Sequence, residues 1–267
     1  MTRESTILFY KISIAVLGIG CFLLALFNFK PPFFSWQFAV VFLFTVLIAP
    51  RMSITLPRSK FSLYFADSMV FLTFLYFGGE AAIIIASAQT IADSLYSRFK
   101  GATLNYSAVA FNLGAISLST GFTYYVWSWI PRIFNLQTAL TLTTNLIVML
   151  AVLGLSQLLA STIFASILHA LKNDTAPWQA WKKQVISVSV AHFAGVGLAG
   201  IVFKLLNYAD VYAISISLIA FAIIYYNYRQ IIDEMTSSIE LAEQAERDKG
   251  EAEREKRHAI ERYADEL

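Results

Sequence analysis

Charge is what this sequence has least of: Asp, Glu, Lys and Arg make up 14% of its 267 residues, against 57% hydrophobic residues and a mean hydropathy of +0.60. A water-soluble domain carries about a quarter charged residues, so a soluble enzyme folded around one aqueous-facing core is excluded as the first reading. Cysteine is nearly absent as well, and the lone Cys21 rules out an intrachain disulfide. With three histidines and one cysteine there is no zinc-type spacing, and no metal site is expected. No Walker loop, dinucleotide fingerprint, nucleophile elbow or Ser-His-Asp context occurs, so catalysis by this chain has no support. No small-residue cleavage site separates the first apolar run from the second, which argues against a cleaved signal peptide.

What is present is apolar length. A helical span needs about 20 mostly apolar residues, and eight such stretches read near 10–29, 33–50, 62–77, 79–96, 105–130, 139–171, 183–206 and 211–228. The third and fourth meet at Gly78-Gly79. One helix over 61–99 would reach roughly 58 Å, too long for a bilayer, so a tight turn at the glycine pair is preferred. With the N-terminus cytoplasmic, the inner segments carry Arg3, Lys11, Arg51, Arg58, Lys60, Arg98, Lys100, Lys172, Lys182, Lys183 and Arg229. The outer ones carry only Lys30, Arg132 and Lys204, as the positive-inside rule requires. Tyr124, Tyr125, Trp127 and Trp129 cluster where span five should leave the membrane, and Trp178 and Trp181 flank the inner loop at Pro177. The expected fold is therefore an all-α integral membrane protein: a bundle of about eight transmembrane helices with both termini cytoplasmic.

Charge is split along the chain. Residues 1–228 hold 13 Lys and Arg against 6 Asp and Glu, while residues 229–267 hold 7 against 12. The division places a transmembrane domain over 1–228 and a cytoplasmic helix over 229–267. The acidic tail and the loop-bound basic residues argue against a nucleic-acid partner. In the tail one heptad seam reads Ile232, Ile239, Glu246, Glu253, Ile260, Leu267, and a second Met235, Ala242, Lys249, Lys256, Tyr263. Both turn charged in the middle, so the tail reads either as a weak coiled coil that pairs in a homodimer or as a single solvated helix. The sequence stops in this pattern without a cap, and an output domain beyond Leu267 is expected.

Polar residues inside apolar runs are costly and become candidate sites by default. Glu80, Asn112, Gln157, His192 and Trp127 are the candidates for contacting a small apolar or amphipathic ligand, and His192 could titrate near neutral pH. Asp67, Gln89, Asp93 and Asn145 form the candidate intramembrane polar network. The ordinary alternatives are helix-end carboxylates for Asp67 and Asp93, dipole complementation for Glu80, and interhelical hydrogen bonds for Asn112, Gln157 and His192. In span seven, Gly195 and Ala199 form a small-xxx-small pattern that marks packing.

The run 65–230 resembles the multi-span N-terminal sensor modules (MASE-like) of bacterial cyclic di-GMP signalling proteins, which precede HD-GYP, GGDEF or EAL output domains. The resemblance lies in Phe71-Leu72-Thr73-Phe74-Leu75-Tyr76-Phe77-Gly78-Gly79-Glu80-Ala81-Ala82, in Phe111-Asn112-Leu113, in the polar position Gln157 and in the loop with Trp178 and Trp181. It implies a receptor in the bacterial inner membrane that relays ligand binding or membrane state through its last helix. The glycine turn and short fourth span also resemble the vitamin-binding substrate subunits of energy-coupling-factor transporters. That likeness implies a pocket toward Glu80 and the outer ends of spans five and six. The cofactor, like the ligand, is unknown from the sequence.

Overall fold

The computed structural model describes residues 2–29, 36–52, 54–55, 62–63, 65–103, 105–133, 143–208 and 211–265. Lys30, Arg58, Lys60 and Leu267, which enter the loop-charge and seam readings, lie outside the described residues, as do the first residues of the second and sixth expected spans. Each of the eight apolar stretches contains a helix, the third only from Phe65 on: α1 (Arg3–Asn28), α2 (Trp36–Leu43), α3 (Phe65–Phe77), α4 (Gly79–Phe99), α5 (Tyr106–Ile133), α6 (Thr143–Asn173), α7 (Pro177–Tyr208) and α8 (Val211–Asp265). α2 runs on through a π-helical turn, Phe44–Ile48, and a 3-10 turn, Ala49–Met52. The only extended pairing among the described residues is a two-residue ladder between β1 (Ile54–Thr55) and β2 (Ser62–Leu63).

Among the described residues, three helical segments are long and apolar enough to cross a membrane: Arg3–Asn28, Asn145–Asn173 and Val188–Asn207. The chain divides into two compact units, 1–54 with 61–209, and 55–60 with 210–267. In the second, α8 is continuous for 55 residues and has no break at 228/229.

Within the first unit the helix ends are set by local chemistry. Thr2 Oγ1 accepts from the Ser5 amide to start α1, and Asn105 Oδ1 accepts from Ser107 and Ala108 to start α5. Pro177 stands at the first position of α7, where its missing N–H costs nothing. Gly78 takes φ +86, a left-handed conformation that side chains resist, and there the chain folds back so that α4 packs on α3.

Long-range pairs order the helices. Arg3 donates to the Leu171 and Lys172 carbonyls, Tyr10 to the Phe164 carbonyl at 3.0 Å, and Lys11 to Ser107 Oγ at 3.0 Å. These place the starts of α1 and α5 beside the end of α6. At the other end Tyr124 meets Glu80, and the Asn207 amide donates to the Tyr76 hydroxyl at 2.6 Å. Arg3, Lys11 and Lys172 thus share one end of the unit.

Over 68–75 α3 is buried on every face, as a helix apolar nearly all round must be: Phe71, Leu72, Thr73 and Phe74 are each at most 3% exposed. The core closes over it with Ala81, Ala82 and Ile85 of α4, Leu146, Leu150 and Leu153 of α6, and Val196, Ala199 and Phe203 of α7. By contrast α1 turns Leu8, Phe9, Val16, Leu17 and Phe27 outward, a stripe suited to lipid and costly in water. Its other face meets α5 at backbone distance. A Cβ on Gly18 would fall 2.2 Å from the Gly114 Cα, and one on Gly114 would fall 2.4 Å from the Ile14 carbonyl oxygen.

Candidate functional site: a polar cavity among four helices

A cavity of about 170 Å³ opens among α3, α4, α6 and α7, with Ile116 of α5 in its wall. Asp67, Gln89, Gln157 and His192 supply its polar lining with Thr90 and Ser161; Val70, Phe71 and Val188 supply apolar surface. Asp67 reaches this point because α3 is only 13 residues long, roughly 20 Å, and Asp67 lies in its first turn.

Each polar group is held by a neighbour. The Gln157 carbonyl accepts from Thr123 Oγ1 at 2.8 Å, and its amide donates to Thr120 Oγ1 at 3.2 Å, tying α6 to α5. His192 Nε2 lies 3.0 Å from the Gly154 carbonyl, which can only accept, so this nitrogen carries the proton. The Phe71 ring meets the imidazole edge-on, with centroids 5.2 Å apart and planes at 83°. Gln89 stands within reach of both carboxyl groups, Asp67 and Asp93. Gly195 leaves room at Asp67 and Ser68: its absent Cβ would lie in ordinary contact with both.

The remaining candidate residues fall elsewhere. Asn112 is exposed and lines an open groove of about 360 Å³ with Asp93, Ser94, Ser97 and Lys100. It does not converge with Gln157 and His192, because it lies eight residues, about 12 Å of helix, before Thr120 on α5. Glu80 accepts from the Tyr124 hydroxyl at 2.7 Å and lines a separate cavity of about 190 Å³ with Cys21, Asn28, Gly121 and Tyr124. Among the described residues, α1, α4 and α5 line that cavity. Trp127 packs on Phe74 at 6.5 Å as part of the core. Asn145 is half-buried near the start of α6, twelve residues from Gln157. On α8, Ile232 is buried, Ile239 is partly so, and Met235 and Ala242 are exposed.

Thr90 and Ser161 were not singled out by sequence, since lone hydroxyls in apolar helices usually just bond to their own preceding turn, as both of these do. Among the described residues no group of three His, Cys, Asp or Glu side chains is placed to hold a metal ion. Comparison with family models, curated proteins and solved structures returned no match.

Proposed function

We propose that the chain is a membrane-embedded receiver. In this reading all eight helices form a transmembrane bundle, both termini are cytoplasmic, and the host membrane is a bacterial inner membrane. Occupation of the polar cavity biases helix packing, and α8 carries the bias to a cytoplasmic output domain. Cyclic di-GMP turnover is the output the sequence resemblance suggests. The charged seam of α8 would pair two copies.

The observation that supports this most is α8 itself. One unbroken helix joins the apolar stretch 211–228 to the charged stretch 229–265, a rod of roughly 80 Å at 1.5 Å per residue. Such a rod transmits rotation or displacement without a hinge to absorb it. Coupling needs a ligand that prefers one packing; about 1.4 kcal/mol of preference shifts the ratio tenfold. The shared end of Arg3, Lys11 and Lys172 also accords with the positive-inside assignment of both termini.

The rival reading is a substrate-binding subunit of a small-molecule transporter, favoured by the placement of carboxyl, amide and imidazole groups inside an apolar body. Cavity size weighs against its vitamin-like form, since pockets for such ligands run to about 300–1,000 Å³. The deciding experiment joins the chain at Leu267 to a diguanylate cyclase reporter and inserts one to seven residues after Arg229. Each residue turns the following helix by about 100°, and seven nearly restore its phase. Output should rise and fall with insert length, returning at seven; output indifferent to phase overturns the receiver. Substrate flux in proteoliposomes would favour the transporter.

A further inference from the structure

We infer that the cavity at Asp67 binds a small organic ammonium ion, a primary alkylamine of roughly four to six heavy atoms. The inference rests on the receiver reading for its biological use and on the cavity lining for its chemistry.

Most of the lining's donors are already engaged. Thr90 Oγ1 donates to the Ala86 carbonyl at 3.0 Å, and Ser161 Oγ to the Leu158 carbonyl at 3.3 Å. His192 gives its Nε2 proton to Gly154, which leaves the lone pair on Nδ1. Gln157 donates one of its two amide protons to Thr120. Gln89 has two amide protons and two carboxyl neighbours, Asp67 and Asp93, which when ionised can only accept. What remains facing the space is a surplus of acceptors: the Asp67 carboxyl group, amide and hydroxyl lone pairs, and the imidazole nitrogen.

The charge points the same way. Around the cavity the titratable groups among the described residues are Asp67, Asp93 beyond Gln89, and His192; no Lys or Arg lines it. A carboxyl group in an apolar body needs a partner, and the described lining of this cavity supplies acceptors without a cation. A primary ammonium offers three donors and one positive charge, the complement of that lining. The rest of the wall selects the other end of the ligand. Val70, Phe71, Ile116 and Val188 are apolar and suit an alkyl chain rather than a hydrated metal ion. A volume of about 170 Å³ compares with the roughly 150 Å³ of an engineered cavity that accepts benzene.

Calorimetry on the purified chain in lipid nanodiscs tests this, with propyl-, butyl- and pentylammonium chloride as probes and sodium and potassium chloride as controls. Wild type should bind one or more of the amines saturably. Asp67→Asn should weaken that binding by about tenfold to a hundredfold, the scale of a lost charge-assisted hydrogen bond. Val188→Phe, which fills the cavity and leaves the carboxyl group in place, should abolish it; circular dichroism and gel filtration check that both variants are folded. Absence of saturable amine binding overturns the inference. So does equal binding of sodium or potassium, or amine binding untouched by the folded variants. The phase-insertion reporter needs no amine, so the two ideas fail separately: phase-dependent output without amine binding defeats this inference alone, and amine binding with phase-indifferent output defeats the receiver alone.

Discussion

Where α1 crosses α5 the backbones touch through Gly18 and Gly114, whereas α3, α4, α6 and α7 stand far enough apart to leave a cavity of about 170 Å³. Both regions contain polar side chains, but they use them differently. Along α5, Ser117 bonds to Leu113 and Ser87, and Cys21 reaches the Ser117 carbonyl. At the Gly18–Gly114 crossing itself the space is filled by backbone, and the cavity at Glu80 lies further along the same helices. In the Asp67 cavity, long side chains bridge helices and keep lone pairs directed at a void. Small residues make a helix pair dense and inert, and large polar ones make it spacious and responsive.

The largest test of this contrast is Gly114→Leu. Its Cβ would collide with the Ile14 carbonyl and the Ala15 Cα, both backbone atoms that cannot rotate away. The two helices must separate, and the expected loss reaches the upper end of about 1–3 kcal/mol for overpacking, or more. Thermal unfolding in detergent should show a large drop, while Gly20→Ala, with nothing within 4 Å, should melt near wild type. Equal melting of the two variants would mean that the α1–α5 crossing is not a backbone contact.

A smaller loss, about 1–2 kcal/mol, is expected for Gly79→Ala. Here the clash is with the Tyr124 ring, 2.0 Å from the added Cβ, and a ring can swing aside. Doing so breaks its bond to Glu80, so Gly79→Ala should cost more than Tyr124→Phe, which removes the hydroxyl alone. The same unfolding assay ranks the two; the reverse order would show that the ring moves freely and that the Glu80 bond holds this end.

These two regions were unequally legible in the sequence. Helix number and position follow from apolar run length, and the α3–α4 turn from the Gly78-Gly79 pair, because both signals are local. The Gly18–Gly114 contact joins residues 96 positions apart, and each glycine alone looks like an ordinary small residue in an apolar run. The π-helical turn at Phe44–Ile48 has no sequence signature at all. For the cavity, Asp67, Gln89, Gln157 and His192 stood out one by one, since polar groups in apolar helices are conspicuous. Their grouping did not, because it depends on where a half-length helix, α3, begins within the unit. Asn112 was just as conspicuous and lies in another groove, next to Asp93 and Lys100.

The smallest expected effect separates stability from function in the cavity itself. Gln157→Met keeps the side-chain volume but removes the bonds to Thr120 and Thr123. Neither hydroxyl is orphaned, since Thr120 still donates to the Ile116 carbonyl at 2.8 Å and Thr123 is free to give its one proton to the Ser119 carbonyl, 2.9 Å away. Interhelical hydrogen bonds in membranes average about 0.6 kcal/mol, so the variant should unfold within about 1 kcal/mol of wild type. Butylammonium binding should nonetheless weaken, because an acceptor has left the lining. A loss above about 2 kcal/mol would show the cavity wall to be as tightly interlocked as the α1–α5 seam. In that case the void would be a by-product of packing, with no freedom to respond to what fills it.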